Sequence, residues 1–380
     1  MRSAQAHTGS IPILYGIADI SYIGGSAIAL LNTLRHLDRK NFYPIVILPK
    51  KCRFSKLLES QGFNTQIIPI SGTWEGFKNR LTFFLHEHEI QLIHLITMRC
   101  FEFNIAMVAR TSGIPVIWHM HFRFDAAFPN INTHTRTQIL GLMHSLSSRI
   151  IACSNYTLAQ FREAGVESRI IALQNGVDTQ MFQRNAGSAR RTFRKKFRIK
   201  NQEHLIGMVA SIEPRKRPLD FIRTAVLVKK RFPAAKFILV GGGEVPGYLR
   251  KIQKASAGKV ILTGYYERIP EVMHALDMLV LPSIHEPAAL VLLEAMACRK
   301  PVIASNDGGN PEIVVNRKTG VLVPPKQPAA FAQAIIQLLQ NPQKAREMGE
   351  KGYRRVKALF EIRTAVKKIE SLYQDIAPQR

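Results

Sequence analysis

Short apolar runs alternate with segments of helical periodicity along the chain. In the first half, the near-continuous apolar runs predict strands at residues 11–15, 43–48, 65–69, 92–95, 115–118, 149–152 and 170–173. Segments with apolar residues at helical spacing lie between them, such as 26–37, 77–89 and 104–111. Strands that are apolar throughout and separated by helices indicate a parallel sheet covered on both faces.

The same pattern then starts again after a polar, basic junction. Strands are predicted at 205–210, 236–240, 259–263, 278–281 and 301–304, with helices at 218–231, 269–276, 290–298, 328–339 and 346–373. A chain of 380 residues is long enough for two domains. We therefore predict an α/β protein with two doubly wound, Rossmann-like domains, residues 1–182 and 183–355, that face a cleft. Ligands of such sheets bind at the carboxyl ends of the strands.

The composition adds a strong basic excess. The chain has 53 Lys and Arg against 27 Asp and Glu, a net charge of +26. Eight basic and no acidic residues fall within 181–200. Such a charge favours anionic partners, although for most single Lys and Arg a solvated surface is the simpler interpretation. The four cysteines are far apart and predict reduced thiols, and the absence of long apolar stretches or an N-terminal apolar segment predicts a cytoplasmic protein.

Two glutamates flank a predicted loop-to-helix junction. A strand-like run precedes Glu286, and an apolar, alanine-rich run that favours helix surrounds Glu294. Pro287 suits the first turn of that helix, so we expect Glu286 in the loop and Glu294 in the helix. Because a helix N-terminus attracts phosphate, one carboxylate would lie on each side of a bound diphosphate. Taken alone, the same pair is more typical of a helix cap and a solvated face.

Glycines and cations follow other strands. Gly24 and Gly25 come after the first strand, and Gly241 opens a three-glycine run after a strand of the second half. Arg215 and Lys216 stand between a strand and a helix, where fixed cations suit a diphosphate; a solvated basic turn is the alternative. No Asp-x-Asp motif occurs. This absence disfavours a diphosphate held through a divalent metal, so protein cations and helix dipoles would have to neutralise it.

Two histidines follow the predicted strand 115–118. His119 and His121 could donate to a substrate hydroxyl or move a proton. We expect strand geometry to point them to opposite faces. With no complete ligand set nearby, a metal site is disfavoured.

Taken in order, these motifs resemble those of glycosyltransferase family 4, whose members have the GT-B fold of two Rossmann-like domains. The resemblance covers roughly residues 11–375. It also rests on Cys153-Ser154, residues 175–178 with Phe182, residues 281–283, residues 295–297, Gly308-Gly309, Pro311-Glu312 and residues 320–324.

The resemblance implies a retaining, metal-independent hexosyltransferase without a cofactor. The donor would be a UDP-, GDP- or ADP-sugar, and the acceptor a lipid-linked saccharide, lipid or glycan of the cell envelope. Glu286 would contact the donor sugar, Glu294 the ribose, and His121 the sugar near the reacting carbon. Residues 356–380 would form a helix that crosses back to the first domain. Donor binding would further involve Gly24, Gly25, Arg215, Lys216, Gly241, Ala289 and Leu290.

The chain departs from the family pattern at three places, of which Ala288-Ala289 and Arg299 support an alternative, a catalytically impaired GT-B scaffold that only binds a partner. Ser211 stands where the family commonly has an arginine, and Ala288-Ala289 replace Phe-Gly. Arg299 replaces a glycine at an expected positive-φ turn, at a cost of about 1 kcal/mol.

The sequence leaves three other functions or partners to be considered. Nucleic-acid binding through 190–200 lacks a recognised module and stacking aromatics and is not expected. A sugar-nucleotide epimerase of the same fold fits the motif order less well. The basic surface fits an anionic membrane, and the helix with Trp74, Phe77, Leu81 and Phe84 could contribute an apolar contact face, although packing on its own sheet is the preferred prediction.

Overall fold

The computed structural model describes residues 9–18, 23–124, 130–243, 245 and 247–378. The chain forms two compact units: Met1–Asn175 with Ile362–Arg380 are unit 1, and Gly176–Glu361 are unit 2. Each unit contains one parallel sheet, which confirms the predicted α/β class with two Rossmann-like domains.

Unit 1 is built on a seven-stranded sheet in the order β3-β2-β1-β4-β5-β6-β7. The order reverses between β1 and β4, and in open α/β sheets this is the position where ligands bind at the carboxyl edge. The strands are β1 (Ile11–Gly16), β2 (Phe42–Leu48), β3 (Asn64–Ile67), β4 (Leu92–Leu95), β5 (Val116–Met120), β6 (Arg149–Ala152) and β7 (Ile170–Ala172).

Helices cover both faces of this sheet, as the apolar strands require. They are α1 (Gly25–His36), α2 (Arg53–Ser60), α3 (Trp74–Glu87), α4 (Cys100–Thr111), α5 (Thr133–Ser145), α6 (Asn155–Glu163) and the last helix, α15 (Ile362–Ile376). One core contains Phe77 and Leu81 of α3, so α3 packs on its own sheet as preferred above. The opposite core joins Leu30 of α1 to Val366 and Ile369 of α15.

Unit 2 repeats the design with a six-stranded sheet in the order β10-β9-β8-β11-β12-β13. Its order reverses between β8 and β11. The strands are β8 (Leu205–Val209), β9 (Lys236–Val240), β10 (Ile261–Leu262), β11 (Met278–Leu281), β12 (Val302–Ser305) and β13 (Val321–Val323). The helices are α7 (Ala186–Lys196), α8 (Pro218–Arg231), α9 (Tyr248–Ser256), α10 (Ile269–Ala275), α11 (Leu290–Ala297), α12 (Asn310–Ile313), α13 (Pro328–Gln340) and α14 (Pro342–Leu359), with 3-10 turns at Met181–Gln183 and Pro214–Lys216.

The borders of the units differ from the predicted ones. The chain passes from unit 1 to unit 2 after Asn175, not at 182/183, because the Val177 N–H donates to the carbonyl of Phe360 at 2.9 Å and so ties this segment to unit 2. The helix predicted over 346–373 is two helices, since α14 ends at Leu359. The return to unit 1 begins at Ile362, not at residue 356.

Within the described ranges, no helix is both long and apolar enough to cross a membrane.

Candidate active site

The candidate site of unit 2 lies at the carboxyl edge of its sheet, where the strand order reverses. The chain leaving β8 enters the 3-10 turn that carries Arg215 and Lys216. The chain leaving β11 forms the loop with Glu286 and then enters α11, which carries Glu294. The predicted placement of both glutamates, one in the loop and one in the helix, is confirmed.

Lys216 and Glu286 form a buried ion pair. The Lys216 Nζ lies 2.8 Å from Oε1 and 2.6 Å from Oε2 of Glu286. The two side chains are only 14% and 8% exposed. Arg215 provides a second cation, 3.4 Å from Glu286 Oε2, while its other terminal nitrogen lies 3.0 Å from Glu213 Oε1. Two cations and two carboxylates thus meet at this edge.

The electrostatics of the pair keep it ionised. Burial alone would raise the pKa of Glu286, but Lys216 and then Arg215 outweigh burial and hold that pKa below its ordinary value. Burial lowers the pKa of Lys216, and the attraction of Glu286 opposes this shift. The site therefore offers a carboxylate that can accept hydrogen bonds and cations that can bind phosphate.

The loop that carries Glu286 is held by the neighbouring strand ends. The Ile284 N–H donates to the carbonyl of Arg215 at 2.9 Å, and the His285 N–H donates to Asp307 Oδ1 at 2.6 Å. The Gly309 N–H donates to the Glu286 carbonyl at 2.7 Å. A Cβ on Gly309 would lie 2.1 Å from the Pro287 carbonyl oxygen, so only glycine allows this close approach.

Helix α11 begins at Leu290, so the prediction that Pro287 lies in the first helical turn was wrong. Pro287 instead lies in the loop that Gly309 approaches. Ala289 is the N-cap, and its side chain offers no capping hydrogen bond, as alanine lacks an acceptor. The Ala289 side chain therefore leaves the N–H groups at the α11 N-terminus uncapped, which suits an anion.

The Ala289 and Arg299 departures are accommodated. Ala289 has φ −76 and ψ 93, ordinary values that do not require glycine. Arg299 has φ +55, the positive value expected at a position where the family has glycine. Its side chain gains contacts that offset strain: Nε lies 2.9 Å from Glu350 Oε2, and the guanidinium lies 3.9 Å from the Tyr353 ring centre.

Glu294 differs from Glu286 because no described cation pairs with it. Within the described residues, neither an ion pair nor a side-chain hydrogen bond involves its carboxylate, and burial raises its pKa to about 7. A partly buried carboxyl group without a partner is suited to accept a hydrogen bond from a ligand hydroxyl.

The three-glycine run after β9 also belongs to this edge. Gly241 has φ +147, and a Cβ there would lie 1.9 Å from the Ala210 carbonyl oxygen. The Ile212 N–H donates to the Gly242 carbonyl at 2.7 Å. Gly241 is therefore required for the loops after β8 and β9 to pack together. Glu244, which follows the run, lies outside the described residues.

In unit 1, Gly24 and Gly25 stand at the start of α1. Gly24 is the N-cap without a side-chain capping bond, and a Cβ on Gly25 would meet none of the described residues within 4 Å. The position is open to a ligand, and its glycine is not explained by packing.

The prediction for the two histidines of unit 1 was wrong in one respect. His119 and His121 do not point to opposite faces; their rings stack with centres 4.2 Å apart and an interplanar angle of 28°. They are two residues apart, and side chains two apart along a strand share a face. In the part of the chain that the structure describes, no group of three His, Cys, Asp or Glu side chains could hold a metal ion.

Glu102 was missed by the sequence reasoning. It is fully buried, and its carboxylate accepts from the Ala18 N–H at 2.5 Å and from the Arg99 N–H at 2.9 Å. The Thr97 hydroxyl also donates to it. Glu102 thus ties together the loops after β1 and β4. Glu102 is the third residue of α4 and accepts from the backbone N–H of the N-cap Arg99, but arginine is not a typical N-cap residue, so the sequence carried no clear signal for this role.

Two cations of the basic segment after the junction, Arg190 and Arg194, make structural contacts within unit 2. Arg194 is 1% exposed, and it donates to the carbonyls of Ala275, Lys200 and Glu203. Arg194 also lies 2.7 Å from Asp277 Oδ2, and Arg190 lies 3.0 Å from Oδ1 of the same residue. These two cations hold α7 on unit 2 and are not available to a nucleic acid.

Two matches place the fold and the motifs in a known class. The Glycosyltransferase Family 4 model matches residues 23–181, and the Glycosyl transferases group 1 model matches residues 189–355. The solved structure of HepE from Anabaena with UDP-glucose superposes with a TM-score of 0.85 at 20% identity, covering 96% of this chain and 100% of that one. A glycosyltransferase from Rickettsia africae gives 0.82 at 18% identity, covering 97% and 98%. The fold is therefore that of the GT-B glycosyltransferases.

Curated relatives are similar over part of their length. A GDP-mannose-dependent phosphatidylinositol monomannoside mannosyltransferase of Mycobacterium tuberculosis is 31% identical over 229 residues, 57% of this chain and 59% of the relative. A UDP-Gal:GlcNAc-diphosphoundecaprenol galactosyltransferase of Escherichia coli is 29% identical over 216 residues, 55% and 54%. The chain spans about half the length of the curated relatives it matches. It belongs to glycosyltransferase family 4.

Proposed function

We propose that this chain is a retaining glycosyltransferase that moves a hexose from a UDP-, GDP- or ADP-sugar to a lipid-linked saccharide, lipid or glycan. Its role would be the synthesis of cell-envelope polysaccharide or glycolipid, in line with the relatives' mannosyl- and galactosyltransferase activities. The observation that carries the proposal is the meeting of Lys216, Arg215 and Glu286 at the switch point of unit 2.

On this proposal, unit 2 binds the donor. Lys216 and Arg215, with the uncapped N–H groups at Ala289 and Leu290, neutralise the diphosphate as it leaves. Glu286 accepts hydrogen bonds from the sugar hydroxyls. The unpaired carboxyl group of Glu294 takes the ribose hydroxyls.

We assign the remaining roles from the family. His121 of unit 1 contacts the sugar near the reacting carbon, and the open backbone at Gly25 approaches the phosphates or the acceptor. In a retaining transfer of this kind, the leaving phosphate takes the proton of the acceptor hydroxyl. The protein then accelerates the reaction by positioning groups and by stabilising charge, not by holding a metal or a cofactor.

The test begins with the donor. Thermal stability is measured with UDP, GDP and ADP, because a ligand at 100 times its Kd adds about 2.7 kcal/mol. Hydrolysis of, or transfer from, the corresponding sugar nucleotides is then compared for the wild type and Glu286→Gln, with and without EDTA. We expect turnover in the wild type, a loss of about 100-fold in the variant and no effect of EDTA. If both proteins bind nucleotide but are equally inert, the chain is the impaired scaffold.

We also propose that the chain acts at an anionic membrane surface on the cytoplasmic side. The net charge of +26 supports this, since basic surfaces are attracted to acidic lipids. Cosedimentation with vesicles containing an anionic phospholipid should fall as salt is raised, because screening shortens the reach of surface charge. Equal binding to neutral vesicles would contradict the proposal.

A further inference from the structure

A column of stacked rings crosses the inside of unit 1. Tyr15 of β1 and His94 of β4 are register partners, and their ring centres are 5.3 Å apart. His94 stacks on His119 with centres 5.5 Å apart, and His119 stacks on His121 at 4.2 Å. The interplanar angles are 27°, 24° and 28°. The column thus runs from the middle of the sheet to the carboxyl end of β5, where His121 stands.

The inner end of the column is closed by a hydroxyl pair. The Tyr373 hydroxyl, supplied by α15, lies 2.5 Å from His94 Nδ1 and 2.9 Å from the Tyr15 hydroxyl. A hydroxyl has only one proton to donate, so the donor and acceptor roles of Tyr373, Tyr15 and His94 depend on one another. Tyr373 and Tyr15 are fully buried, and His94 is 1% exposed.

The outer part of the column has no counterion among the residues that the structure describes. In the described part of unit 1, the Nε2 atoms of His94, His119 and His121 are buried without a hydrogen-bond partner. No described carboxylate pairs with His119 or His121; His121 and His94 act on His119, whereas burial alone acts on His121.

Two charges, Arg39 and Glu370, act at the inner end, on Tyr15. Among the described residues, an imidazolium at the outer end would therefore lie against neutral rings without a carboxylate to balance it. Burial lowers the pKa of His121 to about 4.

We propose that His119 and His94 are positioning residues that hold the His121 ring in one orientation and in its neutral form. This inference rests on the proposed sugar transfer. Positive charge develops on the sugar ring carbon and oxygen when a glycosidic bond breaks. A cationic His121 beside that carbon would destabilise the transition state by charge repulsion. A neutral ring can donate or accept a hydrogen bond without this repulsion.

The first experiment does not depend on activity. The full chain is labelled with 15N-histidine, the ring signals are followed by NMR from about pH 8 to about pH 5, and the exposed His86 serves as an internal reference. We expect His121 to stay neutral throughout in the wild type. In His119→Ala, where water replaces the stacked ring, His121 should become protonated at about pH 6. His119→Phe keeps a ring in the stack, so His121 should stay neutral.

The second experiment measures the pH dependence of turnover with the donor found above. The wild type and His119→Phe should change less than about twofold in kcat between pH 7.5 and pH 5.5, whereas His119→Ala should lose about fourfold, since a group titrating at about pH 6 is only about one quarter neutral at pH 5.5. The KM for the donor should be similar in all three, because His119 is proposed to act through His121 and not on the nucleotide.

The outcomes separate the inference from the function it rests on. A wild-type His121 that is protonated at about pH 6 overturns the inference, and this measurement needs no variant to fold. A His121 that stays neutral in a folded His119→Ala protein overturns it as well. A wild type without turnover refutes the proposed function, while the NMR arm still tests the column.

Discussion

Replacing Lys216 with methionine should destabilise unit 2 measurably, because it leaves a buried carboxylate with less compensation. Charges about 4 Å apart at an effective dielectric of about 20 attract by about 4 kcal/mol. Removing one partner of a buried pair costs about 3–5 kcal/mol. Arg215 remains 3.4 Å from Glu286 and offsets part of this loss. We therefore expect Lys216→Met to lower the free energy of unfolding by about 2–3 kcal/mol.

A double-mutant cycle isolates the pair itself. Glu286→Gln keeps the size and one acceptor oxygen, and the double variant Lys216→Met/Glu286→Gln leaves neither charge. Because the second change removes the unpaired carboxylate, the double variant should be more stable than the sum of the single losses predicts, by about 1–3 kcal/mol.

The choice of probe matters for this measurement. Both tryptophans, Trp74 of α3 and Trp118 of β5, belong to unit 1. Tryptophan fluorescence therefore does not sample the local environment of Lys216. Urea unfolding should be followed by far-UV circular dichroism, with fluorescence recorded in parallel. A loss below about 0.5 kcal/mol in Lys216→Met, or a coupling below that value, would refute the buried-pair argument.

The same variants test the proposed binding of phosphate. In the wild type, a diphosphate has to attract Lys216 away from Glu286. Lys216→Met should therefore lose most of the stabilisation that UDP gives, while Glu286→Gln should bind UDP at least as tightly as the wild type. Isothermal titration with UDP decides this, and unchanged affinity in Lys216→Met would show that Lys216 does not bind the phosphates.

Three further predictions concern other parts of the chain. Arg299→Ala should be less stable than Arg299→Gly by about 1 kcal/mol in calorimetry, because both lose the side-chain contacts but only alanine keeps a Cβ at positive φ; equal stabilities would contradict the strain. The raised pKa of Glu294 means that its stabilising contribution is complete below about pH 4.5 and is lost as the pH rises through about 7. As the pH is raised from about 5 to 8, the free energy of unfolding of Glu294→Gln should therefore increase relative to that of the wild type by about 1–3 kcal/mol. A difference between the two proteins that stays constant with pH in urea unfolding would contradict this. Tyr373→Phe removes the hydrogen-bond partner of both Tyr15 and His94 and should lower the free energy of unfolding by about 1–3 kcal/mol. Tyr15→Phe should lower it less, because the bond between Tyr373 and His94 remains. Unfolding of both variants is followed by tryptophan fluorescence, and the reverse order of stability would refute the hydroxyl arrangement.

Local patterns were enough to predict the two-domain fold. The apolar strands gave the sheets, and the rule that ligands bind at strand ends located Lys216 and Glu286 at the same edge. Their direct pairing could not be predicted, since 70 residues separate them and their contact depends on the adjacency of β8 and β11. The prediction that His119 and His121 point to opposite faces was wrong for a different reason. It misapplied the strand period, which alone is enough to place residues two apart on the same face.

The Ala289 departure shows why a backbone requirement cannot be taken from a family pattern. A glycine at this position suggests a need for positive φ, and alanine then suggests strain and lost activity. Ala289 instead has φ −76, so its backbone is unstrained. What the replacement adds is a methyl group at the N-cap of α11, beside the N–H groups proposed to hold the phosphates. Any effect on the donor is then steric, and it concerns how closely the diphosphate approaches the helix, not whether the loop between Glu286 and Glu294 can form.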